Sequence, residues 1–485
     1  MTTADAAGGT APEAPPPITL IEALIPVAGL IVLISLSFLL FGDAGALGPN
    51  QIALVVATML AVLVGWRRGH TLEALGDAAV DSVSSGIGAI FILLAVGSLI
   101  GTWAMSGTLI AMVYYGLQLL SPNYFYLTTA VICGVVAVSI GSSWTVVGTI
   151  GIGLMGIAAN MGLSPAVTAG AVISGAYFGD KSSPLSDTAN LAAASAGVDL
   201  YEHVRETFVT SLVALPLTLA VFFFLGSPGD FDASEKINAI QRLFDPSLVL
   251  FLPLLIVVAF ALLKIPPFTT IFVGALAGGV LAVIVAPDRV VTFAAGEGLP
   301  RSLALLKGVW LALASGYKSS TGYAPIDHLI SRGGMEGMLN TIWLIITALS
   351  FGGVVEKIGV LERLMTPVIN AVKSVGALVA ALVGAVVATN AVTADQYIAV
   401  VLPARMFKNG FRDRGLAPVV LSRSVGDSGT VTGALIPWNS CGAYMAATLG
   451  VGTIHYAPYA VFCWLSPLVT VAFAFLGIRM MRIEK

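Results

Sequence analysis

Apolar stretches on the scale of a bilayer follow one another along nearly the whole chain, near 18–41, 51–65, 87–105, 124–141, 165–179, 206–226, 247–263, 268–286, 338–355, 374–390, 417–426 and 459–478. Hydrocarbon leaves backbone N–H and C=O groups without water, so such a chain folds as helices or a closed barrel, and runs of this length favour helices. With 57% hydrophobic and 10% charged residues, the expected class is an all-α polytopic membrane protein; an ordinary soluble enzyme is excluded. A net charge of −3, with basic residues scattered, sets nucleic acid aside. Cys133, Cys441 and Cys463 form no CxxC pair and suggest neither a disulfide framework nor zinc. Residues 1–17 hold Asp5 and Glu13 but no Lys or Arg, which reads as a disordered tail rather than a cleavable signal. Residues 18–84 then supply N-terminal spans that stay in the protein.

The helix breakers repeat. Gly162-Leu-Ser-Pro165 returns as Gly415-Leu-Ala-Pro418 at an offset of 415 − 162 = 253, where Pro184 also meets Pro437, Gly197-Val198 meets Gly450-Val451, Ser142 meets Asp395 and Ser174 meets Asp427. Upstream, Gly101 to Gly107 corresponds to Gly353 to Gly359 with a one-residue slip. Two units result, 85–200 and 337–452, joined by connector and scaffold helices over 201–336 and closed by a C-terminal span over 453–485. Paired units with matching interruptions are the mark of secondary transporters, whose site lies where broken helices meet near the midplane. Loop charge indicates their relative orientation, because cytoplasmic loops collect Lys and Arg. The connection 106–123 carries no charge, but its counterpart carries Lys357, Glu362, Arg363 and Lys373; Gly153–Gly162 is uncharged, but its counterpart carries Arg405, Lys408, Arg412, Asp413 and Arg414. Matched loops on opposite sides mean inverted topology. Arg67 and Arg68 put the start of the first unit inside, and Arg479, Arg482 and Lys485 put the C-terminus there too. Glu73, Asp77 and Asp81 fall on one helical face and read as a solvated interfacial helix.

Chemistry concentrates at the interruptions. Gly179 and Pro184 should break the helix within Ser174 to Asn190, freeing carbonyls beside Asp180, Ser183, Ser186, Asp187, Thr188 and Asn190, a donor set suited to a hard monovalent cation such as sodium. The plain alternative is a loop in which Asp180 or Asp187 caps a helix. In the second unit Asn390, Thr393, Asp395 and Gln396 follow a long uncharged run, and Asp427 and Asn439 lie among hydroxyl and apolar residues. An acid at membrane depth faces a cavity, pairs, or takes a proton. Ser142, Ser143, Trp144 and Thr145 stand uncharged at the matching place in the first unit, so the site should be asymmetric. Glu356 beside Lys357 is either an auxiliary group or a snorkelling interfacial pair. Lys181 either pairs with Asp180 or Asp187 or points to water. His70, His203, His328 and His455 show no metal-ligand spacing, and no GxSxG or P-loop occurs. Tyr177 and Ser424 stand where an intramembrane aspartyl protease signature needs glycine, and an asymmetric repeat argues against a channel.

The motifs Gly141-Ser142-Ser143-Trp144, Phe178-Gly179-Asp180-Lys181-x-Ser183-Pro184-Leu185-Ser186-Asp187-Thr188-x-Asn190, Thr389-Asn390-x-x-Thr393-x-Asp395-Gln396-Tyr397, Leu402-Pro403-x-Arg405-Met406-Phe407-Lys408, and Asp427 to Thr432 with Ile436-Pro437-Trp438-Asn439 resemble the NhaC family of Na+/H+ antiporters over most of 85–455. Ser142 departs from the family's commoner Thr. The resemblance implies exchange of sodium for protons across a bacterial inner membrane, relatives that exchange malate for lactate, two re-entrant hairpins, expected here at 142–160 and 393–411, and a homodimer on a scaffold domain. No cofactor is implied beyond the transported Na+ and H+. The expected arrangement has Asp180, Asp187, Asp395 and Asp427 around one cavity, sodium at Asp187, Asp395 and Asp427, and neutral ligands or substrate-binding groups at Ser142, Ser143, Thr145, Ser183, Thr188, Asn190, Asn390, Thr393 and Asn439. The rival is a sodium- or proton-coupled carrier of a small organic anion or amino acid.

Overall fold

The computed structural model describes residues 15–226, 234–296, 298–322, 327 and 330–483. Residues 1–14 of the expected tail, Asp230 and Asp232 of the connector, His328 and Lys485 lie outside them. Among the described residues the secondary structure is helical apart from two isolated bridges, and nine helices are long and apolar enough to cross a membrane. Two further helix pairs, Ser234–Leu243 with Leu248–Leu262 and Thr453–Tyr459 with Val461–Leu476, are bent by 91° and 54°.

The helices that build the site are α1 (Leu72–Ser106), α2 (Thr108–Leu119), α3 (Phe125–Ile140), α4 (Ser143–Met161), α5 (Pro165–Ser182), α6 (Asp187–Ala196) and α7 (Leu200–Phe224). Their counterparts are α8 (Leu339–Lys357), α9 (Val360–Ala371), α10 (Val375–Thr393), α11 (Gln396–Asp413), α12 (Pro418–Thr432), α13 (Ser440–Leu449) and, after the bend at Tyr459, α14 (Val461–Leu476). The starts of α5 and α12 differ by 418 − 165 = 253, those of α6 and α13 by 440 − 187 = 253, and Leu200 corresponds to Thr453 by 453 − 200 = 253. Stereochemistry explains the match. Pro165 and Pro418 occupy first-turn positions, where a missing N–H costs nothing, and Gly197 and Gly450 end α6 and α13 in the left-handed region.

The hairpins expected at 142–160 and 393–411 do not form within those bounds. Residues 143–161 make one helix with a π turn at Val147–Gly151, and 396–413 make another that includes Pro403. Gly148, Gly151 and Gly153 let neighbours approach this helix: a Cβ there would lie 2.6 Å from Tyr444 Oη, 2.9 Å from Val172 Cγ1 and 2.1 Å from Met112 Cε. The chain breaks at 141–142, 183–186, 394–395 and 433–439.

Candidate cation site at the broken helices

In the first unit α3 ends at Gly141, φ 77°, and the chain restarts at once as α4. Ser142 caps the new helix, its Oγ accepting from Thr145 N at 3.2 Å and Thr145 Oγ1 at 3.0 Å. The exposed N–H groups of a helix start attract negative charge, and Asp180 at the end of α5 supplies it. Ser143 N and Oγ donate to Asp180 Oδ2 at 3.2 and 2.6 Å, and Ser186 and Thr188 hydroxyls to Oδ1 at 2.6 and 3.3 Å. Pro184 forces Ser183 out of helical geometry (φ −96°, ψ 133°), which turns the chain so that Ser186 and Thr188 come back to Asp180. Ser183 itself donates to Val138 O at 2.8 Å and thus anchors the turn.

The second unit breaks at Ala394, also left-handed at φ 57°. Its carboxylate comes from the cap residue itself: Asp395 Oδ1 accepts from Tyr397 N at 2.7 Å and Ile398 N at 2.9 Å. The amides expected as ligands hold the break together. Asn390 Nδ2 donates to Gly429 O at 3.1 Å and Thr432 Oγ1 at 3.0 Å, Asn439 Nδ2 donates to Asn390 O and Oδ1 at 3.0 and 3.1 Å, and Thr393 donates to Thr389 O at 2.9 Å.

Asp427 lies apart from both crossings, and its partner is Lys181, at 2.7 Å with both side chains fully buried. Thr210 of α7 donates to the same Oδ1 at 3.0 Å, Thr470 of α14 to Oδ2, and Ser466 accepts from Lys181 at 3.0 Å. A sodium ion on Asp427 therefore has to displace an ammonium group. The sequence left Lys181 either paired with Asp180 or Asp187 or pointing to water, and gave no place to Thr210, Ser466 and Thr470. For Thr210 a signal existed: His203, Glu206, Thr207 and Thr210 are spaced as one face of the helix, and all four are buried.

Asp187 is exposed and faces a cleft of about 330 Å³ whose wall also carries Ser142, Thr145, Asn190, Lys264 and Thr270. Of the four acids, Asp187 alone lines it. Tyr397 Oη donates to Asp187 at 2.6 Å, tying α11 to α6. The counterpart of Tyr397 is Trp144, since 397 − 144 = 253, and Trp144 stacks on Tyr444 of α13 at 4.0 Å while Tyr444 Oη donates to its carbonyl at 2.8 Å. Each unit thus grips the other through equivalent helices. Glu356 is exposed near the end of α8. Among the described residues no three His, Cys, Asp or Glu side chains converge to hold a metal ion.

The chain is similar to known proteins over most of its length. The chain is 37% identical over 434 residues to the Na+/H+ antiporter NhaC of Alkalihalophilus pseudofirmus, covering 88% of this chain and 90% of that protein. It is 35% identical to the arginine/ornithine antiporter ArcD of Halobacterium salinarum (95% and 92% covered) and 34% identical to the malate-2H+/Na+-lactate antiporter of Bacillus subtilis (92% of each). Residues 175–478, which hold both Asp180 and Asp427, match the sequence model described as the Na+/H+ antiporter family, and by this match and the length of these alignments the chain belongs to that family.

Proposed function

We propose that this protein exchanges sodium for protons by alternating access at the broken helices. The observation that carries the reading is the shell of Asp180: a buried carboxylate met by three hydroxyl groups and one amide. Each hydroxyl donates to a bare carboxylate and, rotated about its C–O bond, offers a lone pair to a cation beside it. The same side chains therefore serve an empty and a sodium-loaded state. Ser142, Thr145, Asp187 and Asn190 on the cleft wall form the entrance to this shell, and Asp395 is the equivalent charge at the other crossing.

The Lys181–Asp427 pair makes the exchange obligatory. Buried charges are tolerated in pairs. A sodium ion that takes Asp427 leaves the Lys181 ammonium uncompensated, and the cheapest remedy is loss of its proton. Sodium entry and proton exit are then two sides of one charge balance.

The reciprocal contacts of α4 with α13 and α11 with α6 support a two-fold relation between the units over 85–200 and 337–452, because equivalent surfaces meet in both directions. Together with loop charge this favours the inverted arrangement, with both termini cytoplasmic in a bacterial inner membrane. A homodimer on the connector helices completes the proposal.

The test uses purified protein in liposomes with an imposed pH gradient and no organic solute. Added sodium should dissipate the gradient. The relatives that carry malate, lactate, arginine or ornithine favour a second reading, coupled transport of a small organic solute. An absolute requirement for such a solute would establish that reading instead.

A further inference from the structure

Helix α7 carries a buried polar line that sodium binding leaves without a task. Its inner end is Thr210, 3.0 Å from Asp427. Its outer end is Glu206, which accepts from Arg479 at 2.8 Å and lies 3.7 Å from the buried Arg423; the Arg479 side chain is 40% exposed, so this end meets the surface. One turn before Glu206 on the same face of α7 is His203, fully buried. Its Nδ1 lies 2.6 Å from Ser422 Oγ, and its Nε2 is enclosed with no hydrogen-bond partner among the described residues. The ring lies against Gly426, next to Asp427, where a Cβ would come within 2.8 Å of Cε1. The large majority of buried side-chain polar atoms are hydrogen-bonded. This histidine has a nitrogen left over, beside Gly426 and on the polar face of α7 that runs from Arg479 to a buried ion pair.

We propose that His203, on the face of α7 that it shares with Glu206 and Thr210, conducts the proton exchanged at the Lys181–Asp427 pair. The inference rests on the antiporter reading and names the proton branch of the same site. An N–H bond of the Lys181 ammonium breaks to leave a neutral amine; the proton reaches the Nε2 lone pair by way of the Thr210 hydroxyl, and the resulting imidazolium releases it at the Glu206 end, returning to neutral imidazole. The charged groups around the ring are Glu206 on α7, Arg423 and Asp427 on α12, Lys181 on α5 and Arg479 after α14. Three cations against two carboxylates keep the imidazolium short-lived, which suits a relay and not a store.

Two exchanges separate the branches: sodium-driven proton movement, and isotopic sodium/sodium exchange at equal pH on both sides, in which sodium replaces sodium beside an already neutral Lys181 and no net proton moves. His203→Gln should lower the first at least tenfold and leave the second within about twofold. Retention of both rates overturns the proposal. If His203→Gln loses both, Ser422→Ala decides, because it keeps the imidazole and frees only Nδ1. An altered pH profile of proton movement with sodium/sodium exchange intact upholds the route, and an unaltered profile overturns it. Wild-type protein without sodium-driven proton movement would sink the antiporter reading itself, whereas an unaffected His203→Gln beside an active wild type sinks only the route.

Discussion

The two crossing points share a backbone and differ in where their charge comes from. Gly141 and Ala394 both end a helix in the left-handed region, and a new helix starts one or two residues later. At the second crossing the carboxylate belongs to the cap residue Asp395 and cannot leave the helix it caps. At the first, a serine caps the helix and the carboxylate arrives from Asp180, on another helix. What the repeat preserves is the break; the charge is free to come from elsewhere. A shift of α5 against α4 withdraws the charge from the first crossing, and no such shift can do so at the second. The crossings differ in tolerance as well. Alanine is accepted at 394, but a Cβ at Gly141 would sit 2.6 Å from the Leu185 carbonyl carbon.

The severest expected break of this scheme is Lys181→Met, which strands the Asp427 carboxylate and should cost about 3–5 kcal/mol of stability, read as a lower melting midpoint in detergent. The double variant Lys181→Met/Asp427→Leu should recover most of that stability and no exchange. Next comes Asp180→Asn, expected to lower sodium-dependent proton movement at least 100-fold with a near-normal melting midpoint. Asp395→Asn should cost about tenfold, since asparagine remains a good helix cap while losing the charge; equal losses for the two variants would erase the asymmetry between the crossings. Asp187→Asn should raise the sodium concentration for half-maximal exchange several-fold, as expected for a group on the entrance wall. The smallest effect belongs to Ala394→Gly, a gain below about 1 kcal/mol from relief of the left-handed alanine, measured as a slight rise in melting midpoint.

The helix breaks were legible because Gly and Pro impose their conformations without help from distant partners. That is why Pro165 and Pro418, or Gly197 and Gly450, appear at matched helix ends. Candidate acids were legible from the cost of charge at membrane depth. Their partners were not, because Lys181 and Asp427 are 246 residues apart and nothing in either neighbourhood specifies the other. The hairpin bounds came from the family resemblance, and the residues of 143–161 and 396–413 themselves carry on as helices, with Tyr444 and Met112 in the space that Gly148 and Gly153 leave. The polar face of α7 had a visible period, but it lay in a segment assigned to scaffold.

The stacked rings of Trp144 and Tyr444 limit how this machine can move. Sliding one unit past the other at that point would peel apart two flat aromatic surfaces and break the hydrogen bond from Tyr444 to the Trp144 carbonyl. A stroke that moves α4 and α13 together keeps this stack and hydrogen bond, with its hinges beyond the rings. Indole emission from Trp144 should accordingly stay constant through the cycle.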